Sequence, residues 1–192
     1  MLKDSCEYNS WGKDLSESTK VLQANELFLK DEFFSCEEIY SAEDSDNPAL
    51  KAFDIYSGVD LIVRKRGHLF GVASRMQPLG SFDTFTIREK RYTGAKTELE
   101  KRKEAIEIGA IYPKWTMQGY YEKPSTITSL AICKTVDLYE FIDKYPDLVQ
   151  RRYSDNAFLV VKWSAMKAKG YSLKVFKAPE DDLWLFPGLT LA

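Results

Sequence analysis

A single aspartate, Asp60, interrupts an apolar run from Val59 to Val63. A carboxylate in such a run is costly unless it is hydrogen-bonded, paired or bound to a cation. Arg66-Gly67-His68 separates this run from a second one, Leu69 to Met76, and two apolar runs around a glycine-containing turn read as a β-hairpin. With the turn centred near residues 66–67, Asp60 falls opposite Ala73 or Ser74. Strand alternation then places Ala73, Arg75 and Gln77 on one face. A carboxylate, a guanidinium and an amide would converge at one end of the hairpin, a set suited to phosphate or, with a second carboxylate, to a hard cation. The plain alternative is an edge hairpin whose polar face meets water.

Other chemistries drop out. His68 is the one histidine, and beside Gly67 and two basic residues it reads as a solvated turn residue rather than the imidazole of a nucleophilic triad. A multi-histidine metal site within the chain is excluded. The chain carries neither a P-loop pattern nor a dinucleotide fingerprint. Cys6, Cys36 and Cys133 are scattered and odd in number, without metal-ligand spacing, which speaks for reduced thiols in a cytoplasmic protein. No run approaches the roughly 18 apolar residues of a membrane span, and Met1-Leu2-Lys3-Asp4 lacks a secretory pattern. No membrane partner is expected.

The net charge of −2 conceals an asymmetry. Residues 1–60 hold 5 basic and 14 acidic groups, whereas residues 61–103 hold 11 basic and 4 acidic. The basic block contains Arg64-Lys65-Arg66 at the turn, then Arg88, Lys90 and Arg91, then Lys96 with Lys101-Arg102-Lys103. Arg64, Arg66, Arg88, Lys90, Arg91 and Lys96 are the candidate phosphate contacts, through which nucleic acid would bind in a salt-dependent way. Tyr92-Thr93-Gly94 could offer backbone amides at the start of a helix. Tyr112, Trp115, Tyr120 and Tyr121 could stack on bases, although alternating aromatics more often pack.

The elements that must position these residues follow from periodicity. With 44% hydrophobic and 29% charged residues over 192 positions, the chain has the composition of one globular domain. Its core is expected over about 17–176, with residues 1–15 and 179–192 peripheral. Ser16 or Ser18 caps a helix to about Phe34, with Val21, Leu22, Ala24, Phe28 and Leu29 on one face. A short strand over 36–42 precedes an exposed acidic loop, Glu43 to Pro48, and then the hairpin. A strand over 82–88 follows, then a helix over 95–108 ended by Gly109, in which Glu98 and Arg102 pair at i,i+4. Strands over 111–121 and 127–135, a helix over 137–144, a strand over 157–163, a helix capped by Ser164 and a strand over 171–176 complete the order. The expectation is an α/β (α+β) fold, a mixed central sheet flanked by helices.

A strand ending Gly58-Val59-Asp60, then a hairpin of about fifteen residues, then a strand ending in paired polar residues resembles the PD-(D/E)XK nuclease superfamily, whose restriction-endonuclease-like core is αβββαβ. The resemblance lays over residues 17–163. It implies a metal-dependent nuclease, or a nuclease-like protein of bacterial or phage type, using Mg²⁺ or Mn²⁺. Asp60 then matches the metal-binding aspartate, Arg75-Met76-Gln77 takes the place of the (D/E)XK triplet, and Glu26 matches the glutamate of the first helix. Lys96, Glu98 and Lys101 are candidates for active-site groups relocated to the following helix. The implied catalytic set is Asp60, Arg75, Gln77 and Glu98, with Asp60 and Glu26 as metal ligands. Arginine stands where the family has an acid, and glutamine where it usually has lysine, so weak metal affinity and low or absent activity are expected.

Three functions stay open: a nuclease, a catalytically inactive relative that binds nucleic acid or a protein, and an interaction protein or inhibitor using its acidic N-terminal third. The basic block favours the first two.

Overall fold

A computed structural model describes residues 17–42, 46–78, 82–153 and 156–179. The expectations for residues 1–15, for a Ser16 cap, for residues 43–45 and for the tail from Glu180 lie outside the described residues. The fold is mixed α/β.

The first helix (α1, 17–24) runs into a π-helical segment, Phe28–Phe34, ended by Ser35 in the left-handed conformation. Ser18 lies inside α1 and does not cap it. Val21, Leu29, Phe33 and Phe34 are buried, and Leu22 and Phe28 pack beside them. The carbonyls at the end of the π-helical segment, a focus of negative charge, accept from two lysines. Lys65 bonds the Phe34 carbonyl at 2.5 Å, and Lys174 the Glu32 carbonyl at 3.0 Å.

β1 (Glu38–Ser41) is followed by α2 (Pro48–Ser57). Pro48, expected in the acidic loop, instead opens this helix, where its fixed φ and missing N–H are tolerated. β2 (Leu61–Lys65) and β3 (His68–Pro78) form the expected antiparallel hairpin, with Lys65 opposite His68. Arg66 and Gly67 between them both have positive φ, 51° and 75°. That is the turn whose twist matches the strands it joins. β4 (Thr84–Lys90) precedes α3 (Glu98–Glu107), which begins with a capping box between Thr97 and Glu100. β5 (Trp115–Glu122), β6 (Thr126–Lys134), α4 (Thr135–Lys144), β7 (Val149–Tyr153), β8 (Ala157–Lys162), α5 (Trp163–Ala168) and β9 (Leu173–Lys177) follow. β7 is a strand the periodicity does not signal. Ser164 lies inside α5 and does not cap it; Lys162 precedes the helix without a side-chain cap bond.

The strands form two sheets. The central one is mixed, six-stranded and ordered β1-β2-β3-β5-β6-β9. β1, β2 and β3 pair antiparallel, and β5 lies parallel to β3. β4, β8 and β7 form a separate three-stranded antiparallel sheet. Two clusters make the core. One joins α1 and the π-helical segment to Leu61, Val63, Val72, Met76, Met117 and Leu130 on one face of the central sheet. The other joins Tyr120, Ala131 and Cys133 on the opposite face to Phe85, Leu159 and Val161 of the small sheet and to α4. Among the described residues no helix is long and apolar enough to cross a membrane.

Candidate functional site

On β3, Met76 points into the α1 cluster, so alternation turns Arg75 and Gln77 to the opposite face, toward the small sheet. The register Arg75↔Gln118 and Gln77↔Tyr120 brings Gln118 and Tyr120 of β5 beside them. Gln118 is 2% exposed, an amide buried between two sheets. Its Oε1 accepts the Thr86 backbone N–H at 2.6 Å, and its Nε2 donates to Gln77 Oε1 at 3.0 Å and to the Tyr120 hydroxyl at 3.1 Å. β4 is the edge of the small sheet, and an edge N–H without a strand partner needs another acceptor. Gln118 supplies it and ties the two sheets together. The polar interruption in Trp115-Thr116-Met117-Gln118-Gly119 is the sequence signal for this role, although it names no partner.

Beyond Gln118 the site is dominated by arginine. The Arg75 guanidinium carbon lies 5.3 Å from the centre of the Phe158 ring, and that of Arg88 lies 5.5 Å from the same centre. Arg88 sits directly across from Phe158 on the neighbouring strand, and Arg152 sits across from it on the other side. The first two guanidiniums are therefore within about 11 Å of one another. At an effective dielectric near 20 they repel by at least about 1.5 kcal/mol before any counter-charge is counted. Burial, and then the Arg88 charge, lower the pKa of Arg75, but arginine remains a cation at neutral pH.

The counter-charge is Glu98, in the first turn of α3. It is ion-paired with Arg91, and Arg88 lies 3.8 Å away. Burial pushes its carboxyl up. Its own backbone N–H and the Arg91, Arg88 and Arg102 charges outweigh that and hold it below the usual carboxylate range. Arg102, one turn along α3, donates to the Gly58 carbonyl at 2.8 Å and so anchors α3 to the start of the hairpin. The Glu98–Arg102 pairing read from spacing is thus electrostatic only, with Arg91 holding the contact. Arg91, Arg88 and Arg102 hold Glu98 by their charge and Arg75 lies within its field, while Asp54 also faces Arg102; four arginines against two carboxylates leave an excess of positive charge that an anionic ligand would relieve.

The other candidates are placed differently. The Asp60 carboxylate accepts the Ser74 backbone N–H at 2.5 Å, just before β2. Glu26 is exposed on the helical layer over the Met76 face, opposite to Arg75 and Gln77, so it cannot complete a site with them. Arg64 is paired with Glu38 at 2.6 Å, and the Arg66 backbone N–H donates to Glu37. These two lie at the turn end of the hairpin: Arg64 pairs with Leu69, six residues from Arg75 or roughly 20 Å along the strand, and Arg66 lies beyond it in the turn. Lys96 is engaged by Glu104 at 2.6 Å, and Lys90 is exposed. Tyr120 and Tyr121 are buried and Trp115 packs in the core, so these aromatics serve packing. Arg152, Phe158 and Gln118 have no place in the sequence reading of the site, because only the second sheet brings Phe158 and Arg152 to it and only the parallel β3–β5 seam sets Gln118 beside Arg75.

The donor set does not fit a divalent cation. Gln77 Oε1 already accepts from Gln118, Glu98 is neutralised by arginines, and the place of the second carboxylate holds Arg75. Among the described residues no three His, Cys, Asp or Glu side chains converge as a metal site. Hard cations need several oxygen ligands that carry net negative charge; here the surrounding charge is positive.

No protein-family model matches the chain, and no curated protein and no solved structure matches it.

Proposed function

We propose that this chain binds nucleic acid through the phosphodiester backbone and holds it without cutting it. The observation that carries this reading is the arginine cluster. Arg75, Arg88 and Arg91, with Arg102 behind them, gather around the Glu98 carboxylate and outnumber the nearby acids Glu98 and Asp54, on the face of β3 that the PD-(D/E)XK resemblance assigns to catalysis. Guanidiniums offer planar pairs of N–H donors that match phosphate oxygens. The antiparallel β1-β2-β3 order, with β5 returning parallel after α3, supports kinship with that nuclease core. The arginine in the acidic place favours binding over hydrolysis.

The test is fluorescence anisotropy with labelled single-stranded DNA, duplex DNA and RNA between about 50 and 200 mM salt. Binding should weaken steeply with salt on all three. The Arg88→Glu, Lys90→Glu, Arg91→Glu triple variant should lose it regardless of sequence, while Arg66→Ala should change it less than about two-fold. Salt-independent binding, or none at low salt, would favour the protein-interaction reading. Plasmid, single-stranded DNA and RNA incubated with Mg²⁺ or Mn²⁺ should stay intact, and cleavage that disappears in Asp60→Ala would restore the nuclease reading.

A further inference from the structure

Between the two sheets, at the end of the arginine cluster, lies a cleft of about 330 Å³. Two aromatic rings line it, that of Phe158 on β8 and that of Phe82 just before β4. Phe82 is 58% exposed, unusual for a phenylalanine, and meets Tyr120 edge-on at 5.9 Å. A guanidinium attends each ring, Arg75 at 5.3 Å from the centre of Phe158 and Arg152 at 5.9 Å from the centre of Phe82. The Gln77 amide lines the cleft as well, and its oxygen is already taken by Gln118, so the group it can offer a ligand is its N–H₂. Thr86 adds a hydroxyl. Among the described residues no carboxylate lines the cleft.

These features select a ligand by chemistry. Two guanidiniums and an amide N–H₂ without an opposing acid call for an anion rich in acceptor atoms. Two rings lining one cleft, each within reach of a cation, call for a flat π-system. The volume is at the low end of the range for small-ligand sites, enough for one nucleotide and too small for two stacked ones. We infer that this cleft holds a single unstacked nucleotide, its base against Phe158 and Phe82 and its phosphate between Arg75 and Arg152. A nucleotide belonging to a bound strand and a free nucleoside monophosphate share this chemistry. The strand source rests on the nucleic-acid reading above; the cleft itself does not.

The experiment uses the full chain and three probes at low salt: labelled dT12, an abasic backbone of the same length and charge, and unlabelled thymidine monophosphate, both as competitor and by direct calorimetric titration. Wild type should bind dT12 about ten-fold tighter than the abasic strand, the scale of one base stacked on an aromatic ring. Phe158→Leu, with its thermal midpoint checked against wild type, should close the gap between dT12 and the abasic strand, whatever it does to the affinity both share through Arg75 and Arg88. Arg152→Ala, at an exposed position where folding is not at stake, should lower dT12 affinity several-fold and abolish competition by the monophosphate. Saturable monophosphate binding without binding of either strand supports the cleft with a free nucleotide as its ligand, and overturns the backbone reading. Equal affinity for dT12 and the abasic strand, without competition, overturns the cleft and leaves the backbone reading standing. Failure of all three probes overturns both.

Discussion

Arg75 and Phe158 join the two sheets of this protein. The guanidinium belongs to β3 of the central sheet, and the ring, 5.3 Å from it, belongs to β8 of the small sheet. A half-buried cation against a ring face is held by the ring quadrupole. Because Arg88 shares the same ring, the contact also concentrates positive charge that Glu98 only partly offsets.

Arg75→Gln removes one phosphate contact while keeping a polar side chain. Affinity for single-stranded nucleic acid should fall about ten-fold, and the slope of log K against log salt should become shallower by about 0.7, the single-strand value for one phosphate. Anisotropy titrations at several salt concentrations read both quantities. An unchanged slope would take Arg75 out of the interface.

Glu98→Gln should move stability and binding in opposite directions. The folded carboxyl titrates below its ordinary value of 4.5, so the ionised form stabilises the fold above that pH, and the contribution is lost as pH falls through the folded value. Urea denaturation near pH 7 should show the variant less stable than wild type, with the gap closing in acid below about pH 4. Loss of the negative charge should tighten binding several-fold at low salt. A gap independent of pH would mean that Glu98 acts by packing rather than by charge.

Gln118→Leu leaves the Thr86 edge N–H without its acceptor and strips a donor from Gln77 and Tyr120. A buried polar group left unpaired costs about 1–3 kcal/mol, and equilibrium urea unfolding should show that loss. Thr86→Val should cost less, since its hydroxyl contact with Gln118 is long, 3.4 Å. Equal losses would place the sheet-to-sheet anchor elsewhere.

Asp60→Ala should lower stability by about 2 kcal/mol, because a charge-assisted bond to the Ser74 N–H disappears. Titration calorimetry of Mn²⁺ into the two proteins should give identical heats. A heat that vanishes in the variant would make Asp60 a metal ligand.

Local signals were legible wherever neighbours in sequence decide the outcome. Two apolar runs around Arg66-Gly67 dictate the β2–β3 hairpin, and with it the turn of Arg75 and Gln77 away from Met76, because strand side chains alternate whatever else the chain does. The helix formers after Gly94 likewise specify α3 and put Glu98 in its first turn. Asn47-Pro48 misleads at the same local level, since proline signals a loop and a helix start alike. What the chain's own pattern leaves undecided is which strand faces which. The small sheet of β4, β8 and β7 and the parallel seam of β3 with β5 depend on contacts between distant segments, selected by total burial rather than by any short run. Only that packing sets Phe158 against Arg75 and Arg88, gives the buried Gln118 amide its partners, and draws Arg91 rather than Arg102 onto the Glu98 carboxylate.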